Sequence, residues 1–260
     1  MLQPCEESCP SGAPAMIEDG ALDGVDAALA IHLWLDETAG CWGVRSGAVM
    51  ASVDRVTITV HGRGGHAATP ELCADPVVAA AQAVMALQTV MSRRIPARLA
   101  SVLSLCSIHG GEAFNVIPER VGMLGTARTF RPETRDVVEE RIKRLAHSIA
   151  EAFDAEAEVQ YSRGYPATVN DPAQAAFATE VARKVFGAEN VLTDVFPTMG
   201  GEDFAYMLEK RPGAYCWLGQ GDGGAGRLLH TAQYDFNDEV LPLGAGFLAA
   251  LVEEALPATK

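Results

Sequence analysis

Apolar and polar positions along this chain change rhythm twice. Near the start, "VDAALAIHLW" is almost unbroken apolar sequence, the pattern of a strand buried on both faces. A short helix is expected just before it, from about Ala13 to Asp19, closed by Gly20. "AGCWGVRSGAVMAS" follows, small and Gly-rich, and reads as the approach to a domain crossover. From Ser52 the pattern alternates instead: "VDRVTITVHG" puts Val56, Ile58 and Val60 on one face of a strand.

The alternating region continues as a regular series. "RGGHAATPELCA" is a Gly-rich loop. "DPVVAAAQAVMALQTVMSRR" is helical, with Asp75 as N-cap, Pro76 in the first helical position and Arg93 and Arg94 at its close. "LASVLSLCSIHGG" and "VGMLGTARTF" read as two strands. "PETRDVVEERIKRLAHSIAEAF" reads as a second helix, with Val137, Ile142, Leu145 and Ile149 near one face, and "EAEVQYSRGYPATV" as a fourth strand. The order β-α-β-β-α-β predicts a ferredoxin-like domain over residues 52–165. The α/β character returns after Pro166 with the helix "DPAQAAFATEVARKVFG", the glycine turn "MGGEDFAYM", the strand "AYCWLGQGDGG", the polar loop "LHTAQYDFND" and the closing helix "VLPLGAGFLAALVEEAL". The expected fold class is therefore α/β. A small domain is inserted between residues 1–51, a thin first part, and 166–260, a second part.

Composition narrows the function classes. Among 260 residues, 34 are acidic and 20 basic, a net charge of −14 that argues against nucleic acid and anionic membrane surfaces as partners. No apolar run is long enough to span a bilayer, and the start lacks the charged and apolar regions of a signal peptide. The six cysteines are scattered with no C-x-x-C pair, which fits a reduced, cytoplasmic protein. Cys5 and Cys9 are close enough to help bind a metal; small incidental residues are the plainer reading.

Candidate chemistry starts at "LQPCEES". On a bent loop, adjacent Glu6 and Glu7 can aim at one point, one as metal ligand and the other as general base; a solvated charged terminus is the plainer alternative. His32 lies inside the apolar strand, His230 in a polar loop and His66 after two glycines, while His61, His109 and His147 read as structural. Two carboxylates with two imidazoles suit zinc, manganese or cobalt better than magnesium or calcium. Glu202 and Asp203 follow Gly200 and Gly201, either where backbone N–H groups greet an anion or as a helix cap. No P-loop, nucleophile elbow or dinucleotide-binding glycine pattern is present.

Seven segments in order, QPCEE, HLW, GRGGHAATP, GGEAFNVIPE, GTARTF, GGEDF and LHTAQYDFND, resemble the amidohydrolase branch of the co-catalytic metallopeptidases, the group of hippurate hydrolase, N-acyl-amino-acid amidohydrolases and auxin-conjugate hydrolases. The resemblance implies an α/β catalytic domain with an inserted ferredoxin-like lid that also forms a homodimer. It implies two divalent ions per site and a small N-acyl amino acid as substrate. It makes Glu6 the general base and Glu7, His32 and His230 metal ligands. It has the lid residue His66 polarise the scissile carbonyl in the partner subunit's site. Asn115 matches a lid asparagine near the substrate, and Arg128 is a looser candidate for holding a substrate carboxylate. Metal would lower the pKa of water, Glu6 would take its proton and pass it to the leaving amine, and His66 would help stabilise the oxyanion.

Departures from the family pattern qualify this. Cys5 stands where a small residue is usual, and Leu35 and Asp36 follow HLW where proline is frequent. The family's G-H-D-x-H segment, with a preceding cysteine, occurs nowhere in the chain. Two metal ligands are thereby missing. The expectation is an N-terminally truncated catalytic domain that binds metal weakly or loses one ion, and that leaves apolar faces uncovered. Three readings stay open: the C-terminal portion of a metal-dependent amidohydrolase, a non-catalytic dimerising or regulatory remnant, or half of a split enzyme completed by a separate chain.

Overall fold

The computed structural model describes residues 3–7, 11–34, 38–221 and 229–256. Cys9, Leu35 and Asp36, named above as a possible ligand and as departures, lie outside the described residues. The described residues form two compact units, one of residues 51–167 with 199–201, the other of the remainder.

The larger unit is built on a four-stranded sheet in the order Ala28–Trp34, Gly213–Gly219, Trp42–Gly43, Val191–Leu192. The first two strands run parallel, Ala28 opposite Gly213 and His32 opposite Trp217. Gly213–Gly219 is buried at every position, as an apolar central strand should be. Its residues alternate: Ala214, Cys216 and Leu218 join Trp42, Phe247 and Leu251 in one core, whereas Tyr215 and Trp217 join Ala13, Phe204 and Met207 in another. Helices Pro172–Phe186 and Leu241–Ala255 supply the first core; helix Gly12–Glu18 belongs to the second. Asp171 caps Pro172–Phe186 by accepting from the amides of Ala173 and Gln174 at 2.9 and 3.0 Å. Gly213 has to be glycine, because a Cβ there would lie 1.9 Å from the carbonyl oxygen of Ala28. Among the described residues, Ala28–Trp34 pairs along one edge only. On the closing helix, Leu241, Leu248 and Val252 are exposed.

The Gly-rich stretch read as a crossover holds two strands, Trp42–Gly43 and Gly47–Met50, the latter antiparallel to Thr168–Asn170. Correspondingly, "EAEVQYSRGYPATV" is not one strand: Glu156–Arg163 ends before Gly164 and Thr168–Asn170 pairs elsewhere. Pro166 lies in the break and has no N–H to carry a ladder across it.

The smaller unit has the antiparallel sheet order Ser101–His109, Arg120–Thr129, Asp54–His61, Glu156–Arg163, with helices Pro76–Arg94 and Pro132–Glu151 packed on its apolar face. Chain order and sheet order are those of a split β-α-β arrangement. Val56, Ile58 and Val60 are buried, as their alternation requires. Asp75 caps the first helix through the Val77 and Val78 amides. On the second helix Ile142 is fully buried as expected, Val137, Leu145 and Ile149 pack against the same core, and Val138, Ala146 and Ala150 complete the buried stripe. Four-residue spacing is kept; small alanines, neutral in an apolar count, take the closest approach to the sheet.

Candidate active site

Gln3–Glu7 lies outside any helix or strand, so only tertiary contacts can orient its carboxylates. Glu6 is half-buried and Glu7 exposed. The contacts come from the turn before the short helix Ala205–Leu208. The backbone N–H of Asp203 donates to the Glu6 carboxylate. The Asp203 carboxylate, wholly buried, accepts from the Gln3 side-chain amide and, at 2.9 Å, from the Ala13 amide. Ala13 is the second residue of helix Gly12–Glu18, where Ser11 occupies the N-cap position without a side-chain cap bond. A first-turn N–H needs an acceptor, and a carboxylate there also complements the helix dipole. Asp203 supplies both from a distant part of the sequence.

Glu202, also buried, accepts from the Phe204 amide at 3.0 Å and from the Tyr215 hydroxyl. Oxygens of Glu6, Glu202 and Asp203 all lie within 4.8 Å of one another, a donor set able to hold a cation. Crowded carboxylates resist simultaneous ionisation. Burial, then the charges of Glu202, Glu7 and Asp203, push the Glu6 carboxyl up from 4.5 to about 7, against the lowering effect of the Asp203 N–H. Burial also raises Glu202, opposed by Tyr215, the Phe204 amide and nearby His32. The Tyr215 phenol is raised by burial and by Glu202. Near neutral pH the Glu6 carboxyl is therefore divided between its protonated and ionised forms. A carboxyl titrating near 7 is suited to accepting and returning a proton.

His32, on Ala28–Trp34, stands beside Tyr215 and Trp34, with ring centroids 6.1 and 5.8 Å away. Its Nδ1 lies 2.6 Å from the Leu33 carbonyl oxygen. A carbonyl only accepts, so Nδ1 carries the proton and the Nε2 lone pair is left for another partner. Glu7 and His230 approach to 3.6 Å, both exposed. His230 and Cys5 adopt left-handed backbone, with φ of 61° and 56°. Such conformations disfavour branched or bulky residues and often mark functional loops. Glu7, His230 and the His32 Nε2 have the chemistry of zinc, manganese or cobalt ligands, and the tautomer of His32 fits that use.

The other residues singled out in the sequence lie in the smaller unit. His66 and Asn115 are exposed on two segments joined by the pairs Gly65–Ile117 and His66–Val116. The Ala67 amide donates to the Asn115 carbonyl at 3.1 Å, and His66 Nδ1 accepts from the Ala68 amide at 3.0 Å. Arg128 is half-buried, donating to Thr126 Oγ1 at 3.0 Å and to the Met199 carbonyl at 3.4 Å. Burial lowers its pKa despite Asp54.

Sequence reasoning missed the inward direction of Glu202 and Asp203, and with it Tyr215 and Gln3. Both carboxylates suit a helix start locally, and only their bonds to Tyr215, Gln3 and Ala13 separate that role from a site. The available signal was the adjacent glycine pair.

The family model described as "Peptidase family M20/M25/M40" matches residues 1–254. N-acetylcysteine deacetylase of Bacillus subtilis is 37% identical over 260 residues, all of this chain and 67% of that protein. Hippurate hydrolase of Campylobacter jejuni is 35% identical over 253 residues, 96% of this chain and 65% of the relative. A Bacillus subtilis crystal structure, titled a dinuclear metal binding peptidase from the M20 family, superposes with a TM-score of 0.81 at 32% identity, covering 99% of this chain and 65% of the other. The chain thus spans about two-thirds of the length of these relatives. The family match runs over nearly all of this chain and the fold is shared, so the chain belongs to peptidase family M20/M25/M40.

Proposed function

We propose that this chain carries the C-terminal portion of the site of a metal-dependent amidohydrolase that hydrolyses N-acyl amino acids or similar small amides. The observation that carries the reading is the convergence of an early carboxylate and a late imidazole, Glu7 and His230, at 3.6 Å, next to a neighbouring carboxyl with a raised pKa. Relatives named for deacetylation of N-acetylcysteine and hydrolysis of hippurate support the substrate class. The M20 structure titled as dinuclear supports divalent metal.

In this reading Glu7, His32 and His230 hold metal. A bound divalent ion would lower the pKa of water and polarise the amide. Glu6 accepts the proton of the attacking water and returns it to the departing amine, keeping atoms and charge in balance. Its place against the Asp203 N–H keeps that carboxyl directed into the cluster. His66 reaches the partner subunit's site and polarises the scissile carbonyl there, and Asn115 and Arg128 are candidates for binding substrate. The smaller unit serves as lid and dimerisation domain. The motif that supplies two further ligands in the family pattern, G-H-D-x-H with a preceding cysteine, is absent from these 260 residues.

The test is metal content combined with hydrolysis of a panel of N-acyl amino acids, including N-acetylcysteine and hippurate. The purified chain is expected to hold fewer than one tight zinc or manganese ion. Two tight ions refute the missing-ligand part of the proposal. With the missing ligands restored, Glu6→Gln should keep metal and lose turnover by roughly a hundredfold or more. Undiminished turnover sinks the assignment of Glu6.

A further inference from the structure

Neither Asp203 nor Gln3 has a role in the chemistry just described, yet both hold the residues that do. Gln3 precedes Glu6 and Glu7 in the chain and Ala13 follows them. Two oxygens of one buried carboxylate accept from both flanks, and the N–H of the same residue takes the Glu6 carboxylate between them. A carboxylate removed from water is costly unless its oxygens are satisfied. Here the satisfying donors are those that fix the loop. Helix Gly12–Glu18 could have used Ser11 as a local cap and does not.

We infer that Asp203 is a positioning residue, its carboxylate clamping Gln3 and the Ala13 amide so that Glu6 and Glu7 are presented together. The inference rests on the amidohydrolase reading for what Glu6 and Glu7 do, and on geometry alone for what Asp203 does. A residue that only supported the helix would leave residues 5–7 indifferent to its loss.

The test compares Asp203→Ala, Asp203→Asn and Gln3→Ala in the full 260-residue chain. Gln3→Ala removes a single bond and leaves the buried turn intact, so it serves if Asp203→Ala does not fold. Hydrogen exchange by mass spectrometry reads the amides of residues 5–7 in that chain, and steady-state hydrolysis of N-acetylcysteine and hippurate, with metal and the missing ligands restored, reads kcat and KM. Exchange at 5–7 should rise by about tenfold in Gln3→Ala and further in Asp203→Ala, the scale of losing hydrogen bonds to a charged group. Asp203→Asn should fall between. Turnover should show kcat reduced with KM within about twofold, as for lost alignment of a reacting group. Unchanged exchange at 5–7 in Gln3→Ala and Asp203→Asn overturns the inference, and so does a uniform rise over the whole chain. If exchange responds as expected while the wild-type chain hydrolyses no N-acyl amino acid even with metal and the missing ligands restored, the amidohydrolase reading fails and the positioning role stands.

Discussion

Asp54 is the most consequential buried charge in the smaller unit. Its side chain is 0% exposed and that of its partner Arg135 11%. Arg135 Nε reaches both carboxylate oxygens at 3.1 and 3.0 Å, and a further guanidinium nitrogen bonds the same carboxylate. The Tyr161 hydroxyl donates to it at 2.6 Å and the Gly164 amide at 3.3 Å. Arg135 also reaches the Gly164 carbonyl at 3.0 Å, tying the end of the last strand to the start of the first. Asp54→Ala removes the acceptor of all these donors. Breaking a buried pair costs about 3–5 kcal/mol through the stranded charge, and the orphaned hydroxyl adds about 1 kcal/mol. For a unit of about 120 residues, 4 kcal/mol corresponds to a loss of roughly 15 °C in Tm. The assay is denaturant melting followed by far-UV circular dichroism, to which the two long helices of this unit contribute. Trp34, Trp42 and Trp217 all lie in the larger unit, so tryptophan emission reports that unit separately. The double substitution Asp54→Leu with Arg135→Met should recover most of the loss, because it removes both charges. A cost of Asp54→Ala below about 1.5 kcal/mol would refute the reasoning, since it would mean that water reaches the pair.

Three further outcomes are expected. In metal-free protein the Glu6 carboxyl is raised from 4.5 to about 7, so between those values the native state binds more protons than the unfolded state. Stability should then fall as pH rises through that window, and Glu6→Gln should flatten the trend; parallel pH profiles of Tm for the two proteins would contradict it. Gly213→Ala should strain the pairing at Ala28, at a cost of about 1–3 kcal/mol by equilibrium denaturation read through tryptophan emission, whereas a neutral result would mean the strands separate freely there. Phe247→Ala should cost about 3–5 kcal/mol, because Phe247 is 0% exposed and its ring lies 4.3 Å from that of Trp42; a loss below 1 kcal/mol by the same melt would place the helix outside the core.

Much of the secondary structure could be read locally, for reasons visible in single residues. Asp75–Pro76 and Asp171–Pro172 combine a cap acceptor with a proline that needs no donor, and helices begin at both. Alternation at Val56, Ile58 and Val60 fixed which face of that strand is buried. Two-residue strands such as Trp42–Gly43 were not legible, because their only signature is a partner far along the chain. On Pro132–Glu151 the expected face packs on the core, but the place of Ala146 and Ala150 in its buried stripe was not legible, because alanine's small volume matters only against a particular sheet.

The candidate site divides in the same way. The sequence by itself supplied candidates, a Glu-Glu pair, a histidine in an apolar strand and a late histidine in a polar loop, and the order of motifs that marks the family. Tertiary structure decided which of these meet. It brought Glu7 to His230, turned Glu202 onto Tyr215, and made Asp203 the holder of Gln3 and Ala13 rather than a cap for its own short helix. The physical reason is range. Propensity and periodicity act over a few residues, whereas a buried carboxylate takes whichever donors the packed chain delivers, and those of Asp203 lie 200 and 190 positions away.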